Sequence, residues 1–390
     1  MKETFGTLLV VSHVFHYQTG RGLLAYGPYS LEIEVWADLF EQVIIAAPRG
    51  DGAAPKGCSL LERDNISLWP LRPTGGTTWR AKLAQAFAVP GLLRELGRAM
   101  RQADVIHVRC PGNVGLLGTL LAPLYPARRI AKYAGQWGHY PGEAWSYRLQ
   151  RAVLRSRWWG APVTVYGRWP NQPPHVVPFF TSVMTDAQVA RAGMAAMRRG
   201  LSDRPRVIYV GRLSAAKNVD VLLLALSVLR TRGMVLPAQI VGDGPEGAAL
   251  RSQAESLGIA DQVEFLGAVS FEQVLDCYEE ADVLVLCSET EGWPKAIAEA
   301  MAFGLVCVGS DRGMVPKMLS EGRGVVISPR NLEALVAALG RLAAAPLERQ
   351  IMSARAAEWA RHHSLEGLRD ALAELLAGPQ EAVATTVDRQ

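Results

Sequence analysis

The stretch SETEGWPKAIAEAMAFG, residues 288–304, decides the fold of this chain. It follows a largely apolar run, 281–287, which predicts a buried strand of a parallel sheet. Pro294 is suited to the first turn of a helix, and Gly304 is suited to its end. The stretch therefore predicts a strand, a polar loop and a helix in succession.

The predicted helix carries one acidic residue, Glu299, among apolar side chains on every side. No side of such a helix is suited to water, so we expect Glu299 to be buried. A buried carboxylate is costly unless it has partners, and no basic residue follows it by one turn. Other parts of the chain or a ligand must supply the donors.

The loop before the helix is a favourable place for a phosphate, because backbone N–H groups and the positive end of the helix dipole meet there. Glu299 lies five residues after Pro294, roughly 7–8 Å along the helix axis. Its two oxygens suit two neighbouring hydroxyls such as those of a ribose, and Glu291 in the loop suits a sugar. The alternative is that Glu291 caps the loop and Glu299 pairs with a distant arginine.

Length and composition favour about two α/β domains. The chain has 390 residues and 37 glycines, and short apolar runs alternate with helix-like segments, as in parallel-sheet proteins. Residues 1–180 carry 20 Lys and Arg against 11 Asp and Glu (20 minus 11, +9), and the remainder carries 21 against 26 (−5). The first half should favour an anionic partner or surface. Nucleic acid is a weaker candidate, because no recognition motif accompanies the charge.

Cysteine usage and hydropathy indicate a cytoplasmic protein. The five cysteines are an odd number without a Cys-x-x-Cys pair, which is typical of a reducing compartment. The first apolar run ends at His13, too early for a signal peptide. No stretch approaches the roughly 20 apolar residues that a membrane span needs.

In the first half, a strand at 8–11 leads into a polar loop, 12–27, which we expect to line a ligand cleft. A second strand, 129–134, leads to another group of polar residues, and we expect these to contact a polar substrate. The alternatives are turn histidines bonded to backbone in the first loop and an aromatic cap over the core in the second. The candidate acceptor or cleft residues are His13, His16, Gly20, Gly22, Gln136 and His139.

Residues 147–169 are rich in arginine and tryptophan. Two interpretations stay open for this segment. It lies on an anionic membrane, or it is a packed helix whose arginines extend to solvent, which is slightly favoured.

The second half opens with a strand at 206–211, a polar loop at 212–218 and a helix at 219–232. The loop carries Arg212 and Lys217. In a parallel sheet both would share an edge with Glu291 and could clamp one diphosphate. Gly242 and Gly244 form a tight turn at the same edge and permit a close backbone approach, although an ordinary turn explains them equally well.

Four motifs in this order resemble the retaining glycosyltransferases of family 4, which have the GT-B fold. They are GRLSAAKN (211–218), VGDGPE (241–246), FLG (265–267) and EGWPKAIAEAMA (291–302). The resemblance is specific across about 206–340 and diffuse before it. It implies two Rossmann-like domains with parallel sheets facing an interdomain cleft, a nucleotide-sugar held by the second domain, no metal or other cofactor, and a last helix that crosses back.

The resemblance also implies residue roles. Arg212 and Lys217 would neutralise the diphosphate, Glu291 would contact the donor sugar, and Glu299 would hold the ribose. Ala268 and Val269 would lie beside the base. The remaining donor-binding candidates are Gly211, Gly242, Gly244, Gly292, Trp293, Pro294 and Lys295.

The first half departs from the family pattern. Many relatives have adjacent glycines in the first loop, where this chain has Gly20-Arg21-Gly22. Many also have a histidine directly after the strand that here leads into Gly135-Gln136, and the nearest histidine is His139. Either His139 or His16 is the substitute that the resemblance suggests.

The expected organisation is an acceptor-binding domain (1–180), a linker (181–204), a nucleotide-sugar domain (205–364), a crossing helix (365–378) and a disordered tail (379–390). The expected reaction is retaining sugar transfer from a nucleoside diphosphate sugar, with UDP favoured over GDP. The acceptor would be a saccharide or a lipid-linked saccharide in polysaccharide, glycolipid or glycoconjugate biosynthesis, with peripheral attachment to an anionic membrane. Alternatives are a glycosidase using Glu291 and Glu299, a silent nucleotide-sugar-binding subunit, and an epimerase or phosphorylase of the same fold.

Overall fold

The computed structural model describes residues 4–55, 57–73, 79–140, 142–200, 202 and 204–378, with backbone alone for 79–86. The chain divides into two compact units. Unit 1 comprises the described residues of Met1–Val183 and Leu365–Gln390, and unit 2 comprises those of Met184–Ser364. The tail predicted at 379–390 lies outside the described residues.

Unit 1 is built on a seven-stranded sheet in the order β10-β9-β8-β7-β1-β4-β6, and every pairing in it is parallel. Its elements up to residue 179 are β1 (Phe5–Val11), β2 (Tyr17–Thr19), β3 (Gly22–Tyr26), α1 (Gly27–Ala37), β4 (Phe40–Pro48), β5 (Cys58–Leu60), β6 (Ile66–Leu71), α2 (Trp79–Met100), β7 (Val105–Cys110), α3 (Asn113–Leu121), β8 (Arg128–Tyr133), α4 (Trp145–Arg155), β9 (Val163–Tyr166) and β10 (Val176–Phe179).

The central strands of unit 1 are buried on both faces, as is typical of a parallel sheet covered by helices on each side. Residues 8–11 of β1 are fully buried, and all of β7 is buried. From β1 the chain proceeds to β4 and β6 on one side, then returns through α2 to β7 and continues in the opposite direction. The order of strands therefore reverses between β1 and β7, the place where ligands gather in sheets of this type.

The predicted polar loop 12–27 contains two short strands that were not predicted. Strands β2 and β3 pair antiparallel across a turn at Gly20 and Arg21, and β3 also pairs with β5. The Thr19 hydroxyl donates to the Gly22 carbonyl and accepts from the Arg21 N–H, which closes the turn. Gly22 adopts φ +126°, a conformation that side chains disfavour.

Unit 2 has a six-stranded parallel sheet in the order β13-β12-β11-β14-β15-β16. Its elements are α5 (Asp186–Arg198), β11 (Val207–Val210), α6 (Val219–Thr231), β12 (Ala238–Val241), α7 (Gly247–Ser256), β13 (Val263–Gly267), α8 (Phe271–Glu280), β14 (Val283–Leu286), α9 (Lys295–Ala302), β15 (Val306–Ser310), α10 (Val315–Met318), β16 (Gly324–Ile327), α11 (Leu332–Ala344) and α12 (Pro346–Ala360).

The strand order of unit 2 reverses between β11 and β14, because β12 and β13 extend the sheet on one side of β11 and β14 begins the other. The loops that follow these two strands carry the strongest motifs of the sequence. The topology thus places them side by side at the edge where α/β sheets bind ligands.

The predicted linker, 181–204, contains α5. This helix has a full capping box between Thr185 and Gln188 and packs against α8, α9 and α12. Arg191 pairs with Glu272, Asp276 and Glu279 of α8. Most of the segment is therefore an integral layer of unit 2.

The last helix, α13 (Leu365–Ala377), belongs to unit 1 and packs against α1. The Arg128 guanidinium donates to carbonyls at its C-terminal end, those of Leu375, Leu376 and Gly378. A cation at this position also compensates the negative end of the helix dipole. In the described part of the chain, no helix combines the length and apolarity needed to cross a bilayer.

Candidate functional site

Lys217 and Glu291 meet at the reversal point of unit 2. Lys217 ends the loop after β11, Glu291 lies in the loop after β14, and the Nζ–Oε1 distance is 2.6 Å. The side chains are 26% and 10% exposed, so both remain within reach of a ligand. Two residues 74 positions apart, predicted to bind diphosphate and sugar, are thus neighbours.

The two loops are fixed to each other by Asn218. Its side-chain N–H group donates to the Cys287 carbonyl at 2.8 Å and to the Glu289 carboxylate at 3.0 Å. Its side-chain oxygen accepts from Arg330 at 2.9 Å. Asn218 also adopts the left-handed conformation (φ +51°), which asparagine tolerates better than most residues. The position of Lys217 is therefore set by a buried neighbour whose own contacts are satisfied.

Gly242 and Gly244 allow two loops of the protein to touch. A Cβ atom on Gly242, which has φ +135°, would lie 1.8 Å from the Gly211 carbonyl oxygen. A Cβ atom on Gly244 would lie 2.1 Å from the Leu213 carbonyl oxygen. The Leu213 N–H also donates to the Asp243 carbonyl at 3.0 Å. The close approach is thus between backbones of the protein, and it shapes the loop that carries Arg212 and Lys217.

The loop after β15 supports Glu291 from the other side. The Met314 N–H donates to the Gly292 carbonyl at 3.1 Å, and a Cβ atom on Gly313 would lie 2.0 Å from the Glu291 carbonyl oxygen. Gly313 was not predicted, because nothing in the sequence distinguishes it from the other glycines of the chain until the fold brings it beside Glu291.

Helix α9 holds Glu299 as the sequence predicts. Pro294 caps its first turn, and Gly304 follows its end with φ +73°. Glu299 is only 8% exposed, and it accepts a hydrogen bond from the Tyr278 hydroxyl of α8 at 3.0 Å. Its partner is therefore a phenol and not the distant arginine of the alternative interpretation.

Burial raises the pKa of Glu299 to about 7, although the Tyr278 hydrogen bond and the charge of Lys295 oppose the rise. Burial and the neighbouring carboxylate raise the pKa of Tyr278 well above its ordinary value, so the phenol stays protonated and donates. Tyr278 was not predicted, because it lies 21 residues before Glu299 in an ordinary amphipathic helix.

The other donor-binding candidates occupy the same sheet edge. Arg212 is exposed in the loop after β11, and its carbonyl accepts from the Tyr209 hydroxyl at 3.0 Å. Ala268 is exposed and Val269 half-buried after β13, two strands from β11. The Trp293 ring packs on Trp359 and His363, with centroids 6.0 Å and 5.2 Å away. The ring of Trp293 is thus part of an aromatic cluster of the protein.

The candidate histidines of unit 1 have different surroundings. His16 is fully buried, its Nδ1 bonds the Val14 carbonyl at 2.9 Å, and its ring meets the Tyr29 ring edge-on. Burial lowers the pKa of His16 to about 4, so it is neutral at pH 7. His16 therefore matches the alternative of a turn histidine bonded to backbone. His13 lies against Gly112, and burial followed by the charge of Arg109 lowers its pKa.

The residues after β8 are divided between core and surface. Trp137 is buried against Tyr133, with ring centroids 5.2 Å apart, as in the alternative of an aromatic cap. Gln136 is half-buried. His139 is exposed, and its Nδ1 lies 3.0 Å from Glu143, a buried carboxylate that also binds Arg151. Of the candidates in this group, His139 therefore lies at the surface and Gln136 lies between core and surface.

Unit 1 contains a buried charge cluster that the sequence did not reveal. Glu32 of α1 binds Arg109 at 2.5 Å and Lys132 at 2.8 Å, and Arg109 and Lys132 are paired residues of β7 and β8. Burial alone would raise the pKa of Glu32, but the two cations hold it well below its ordinary value. We refer to these three residues as the Glu32 cluster.

Comparison with known proteins identifies the region that carries these motifs. The model of the family described as Glycosyl transferases group 1 matches residues 198–359, which is most of unit 2. The GDP-mannose-dependent alpha-(1-6)-phosphatidylinositol monomannoside mannosyltransferase of Mycolicibacterium smegmatis is 34% identical over 202 residues, which cover 50% of this chain and 53% of that protein. The chain thus spans about half the length of this curated relative.

Solved structures share the fold over nearly the whole chain. Sucrose-phosphate synthase from Thermosynechococcus elongatus superposes with a TM-score of 0.68 at 18% identity, covering 95% of this chain and 98% of that one. Anabaena HepE in complex with UDP gives 0.66 at 16% identity, covering 96% and 100%. These likenesses confirm the predicted α/β GT-B fold with two Rossmann-like domains.

Proposed function

We propose that this chain is a retaining glycosyltransferase of family 4, which moves a sugar from a nucleoside diphosphate sugar to an acceptor hydroxyl. The observation that carries the proposal is the meeting of Lys217 and Glu291 beside the start of α9, with Glu299 further along the same helix. A cation, a carboxylate and a helix N-terminus at one sheet edge suit a diphosphate that bears a sugar. The group 1 match over residues 198–359 supports the same assignment.

The proposed donor exchanges partners with the Lys217–Glu291 ion pair. A diphosphate oxygen would take the Lys217 ammonium, and a hydroxyl of the donor sugar would donate to the Glu291 carboxylate. Each side chain then keeps a hydrogen-bonding partner, so separation of the pair leaves no buried group unsatisfied. Arg212, exposed in the same loop, would add a second cation to the diphosphate.

Glu299 would hold the ribose of the nucleotide. Tyr278 satisfies one oxygen of its carboxylate, Oε2, and the remaining lone pairs suit ribose hydroxyls. These hydrogen bonds are strongest to the ionised carboxylate. Donor binding should therefore favour the deprotonated form of Glu299.

In the proposed reaction the bond between the sugar C1 and the diphosphate oxygen breaks, and a bond from C1 to the acceptor oxygen forms on the same face. The departing diphosphate oxygen accepts the proton of the acceptor hydroxyl. Lys217, Arg212 and the N-terminus of α9 stabilise the charge that grows on the diphosphate, so this chain needs no metal for that step.

The proposal also names the base of the donor nucleotide and the class of acceptor. The mycobacterial relative is named for GDP-mannose and a phosphatidylinositol mannoside, whereas HepE was solved with UDP. We retain UDP as the favoured base and a saccharide or lipid-linked saccharide as the acceptor. A thermal-shift panel of UDP, GDP and ADP sugars identifies the donor, because a ligand of the folded state raises the unfolding temperature.

The turnover of the Lys217→Ala variant, measured with the donor identified by the thermal-shift panel, tests the proposal. Loss of one preorganised donor of this kind costs about 10²-fold or more in turnover. Lys317→Ala is the matched control, because Lys317 is an exposed lysine of the same unit, on α10. Turnover near that of the wild type in Lys217→Ala would overturn the assignment.

Product analysis separates the alternative activities. Hydrolysis of a simple glycoside without nucleotide indicates a glycosidase, and an altered sugar still attached to the nucleotide indicates an epimerase. A glycosyl phosphate formed from an oligosaccharide indicates a phosphorylase. Donor binding without transfer to any acceptor indicates a silent binding subunit.

A further inference from the structure

The outer face of α4 exposes large apolar side chains. Trp145 is 74% exposed and Leu149 is 41% exposed, and they lie one turn apart on one side of the helix. Ala152, also exposed, continues the stripe, and Trp158 follows the helix with 51% exposure. Single exposed apolar residues are normal, but a row of this kind, with two tryptophans, indicates an interaction surface.

Arginines flank this stripe. Arg148 and Arg155 are exposed on the same side of α4, and Arg157 is exposed beside Trp158. Between Glu143 and Asp186 the sequence contains five arginines and no acidic residue. The surface formed by Trp145, Arg148, Leu149, Arg155, Arg157 and Trp158, which we term the α4 face, is therefore both apolar and cationic.

The buried neighbour Arg151 shows what a structural arginine looks like on this helix. It is 6% exposed, binds Glu143 through both terminal nitrogens, and donates to the Tyr133 hydroxyl at 3.1 Å. The Arg148 side chain, in contrast, is 57% exposed, and its ion pair with Glu143 is longer, at 3.6 Å. The packed-helix interpretation of residues 147–169 thus accounts for Arg151 and leaves the α4 face unexplained.

We propose that the α4 face docks unit 1 on an anionic lipid bilayer. Tryptophan and leucine side chains suit the boundary between headgroups and acyl chains, and arginine guanidinium groups suit the headgroup phosphates above it. The charge of the face complements an anionic leaflet, and a helix that lies in the membrane plane needs no spanning segment. This docking does not depend on the proposed sugar transfer.

Co-flotation of the full chain with vesicles tests the proposal. About a third of the lipid is phosphatidylglycerol and the rest phosphatidylcholine, with pure phosphatidylcholine vesicles for comparison. We expect binding to the anionic vesicles that weakens at high salt, because salt screens charges near the surface. Arg155→Gln with Arg157→Gln should lower the partition coefficient about 25-fold, or about fivefold for each arginine.

The apolar part of the face has its own variant. Trp145→Ser with Leu149→Ser should lower vesicle binding at low salt, where the arginines still attract the protein. The matched control for the arginine variant is Arg341→Gln with Arg361→Gln, at two exposed arginines of unit 2. It removes the same charge as Arg155→Gln with Arg157→Gln and should keep wild-type binding. An unchanged thermal unfolding midpoint establishes that each variant is folded.

Three results would overturn the proposal: no binding of the wild type to anionic vesicles at low salt, equal binding to pure phosphatidylcholine, or an equal loss in the unit 2 control. Competition by a single-stranded oligonucleotide that persists in the Trp145→Ser, Leu149→Ser variant would assign the arginines to nucleic acid instead.

Discussion

The two sheets reverse strand order in the same way but treat charge differently at the reversal. In unit 1 the Glu32 cluster buries one carboxylate between two cations next to β7. In unit 2 the Lys217–Glu291 pair stays partly exposed, and Glu299 is held by a neutral phenol. The same topology can therefore place charged groups at the sheet edge that pair only with one another, or charged groups that remain accessible to a ligand.

The charged groups of the two units differ in how much of their hydration they have lost. The groups of the Glu32 cluster have exchanged water for one another, so removal of one partner leaves the others buried without a compensating charge. The unit 2 groups keep part of their hydration or titrate near neutral pH. Substitutions in the first set should act on stability, and substitutions in the second should act on ligand binding.

Glu32→Gln should give the largest effect of the predictions made for this comparison. It leaves Arg109 and Lys132 buried without a carboxylate, which we expect to lower the free energy of unfolding by about 3–5 kcal/mol. Urea unfolding followed by tryptophan fluorescence measures it, since eight of the ten tryptophans lie in the first 180 residues. Glu358→Gln, in an exposed pair with Arg361, should cost less than about 1 kcal/mol. Equal effects of the two substitutions would contradict the comparison.

A pair of glycine substitutions sharpens the comparison at the loops. Gly242→Ala presses a Cβ atom onto the Gly211 backbone, whereas Gly112→Ala, at φ +154° in unit 1, meets the His13 ring at 3.0 Å. Both positions strain an alanine, by about 1–3 kcal/mol, but only the His13 side chain can move aside. Gly242→Ala should be the more destabilising by thermal unfolding, and it should also weaken donor binding. The reverse order would show that loop packing does not shape the unit 2 site.

The pH dependence of donor binding gives the smallest predicted effect. Because the pKa of Glu299 is raised to about 7, its carboxylate is lost as the pH falls through that value, so donor affinity should decline toward acid pH. Tyr278→Phe removes a hydrogen bond that favours the ionised form and should move the midpoint to higher pH by about one unit or less. Calorimetric titration between pH 5 and 9 measures both. A midpoint unchanged by Tyr278→Phe would sink the assigned role of Tyr278.

Folding stability without ligand should respond to pH in the opposite direction. A carboxyl whose pKa is raised on folding binds a proton more tightly in the folded state, so its contribution to stability is full below the unfolded pKa and declines as pH rises through about 7. Donor affinity and the stability of the free protein therefore change in opposite directions across this interval.

Unit 2 could be predicted well because its signals are local. Each of its strands is a short apolar run, and helix α9, the burial of Glu299 and the loop that carries Lys217 all follow from neighbouring residues. The terminal helix, expected at 365–378, spans Leu365–Ala377 in the structure. The partnership of Glu299 with Tyr278 could not be predicted, because it joins two helices that only the fold brings together.

Unit 1 was harder to predict because its organising contacts are distant in sequence. Glu32 and Arg109 are 77 positions apart, and the sequence of α1 carries no signal of the partners of Glu32. Strands β9 and β10 were missed because proline-rich sequence surrounds them. The β2–β3 hairpin was mistaken for a loop because its strands are only three and five residues long.

The return of α13 to unit 1 makes unit 2 a continuous insertion, which begins at Met184 and ends at Ser364, within a discontinuous host. Excision of 184–364 would preserve every strand of one sheet, whereas truncation after Val183 would uncover the surface of α1 that α13 protects. Recombination between relatives can therefore exchange unit 2 as one continuous segment. Unit 1 consists of two segments that are separate in sequence, so both must be exchanged together.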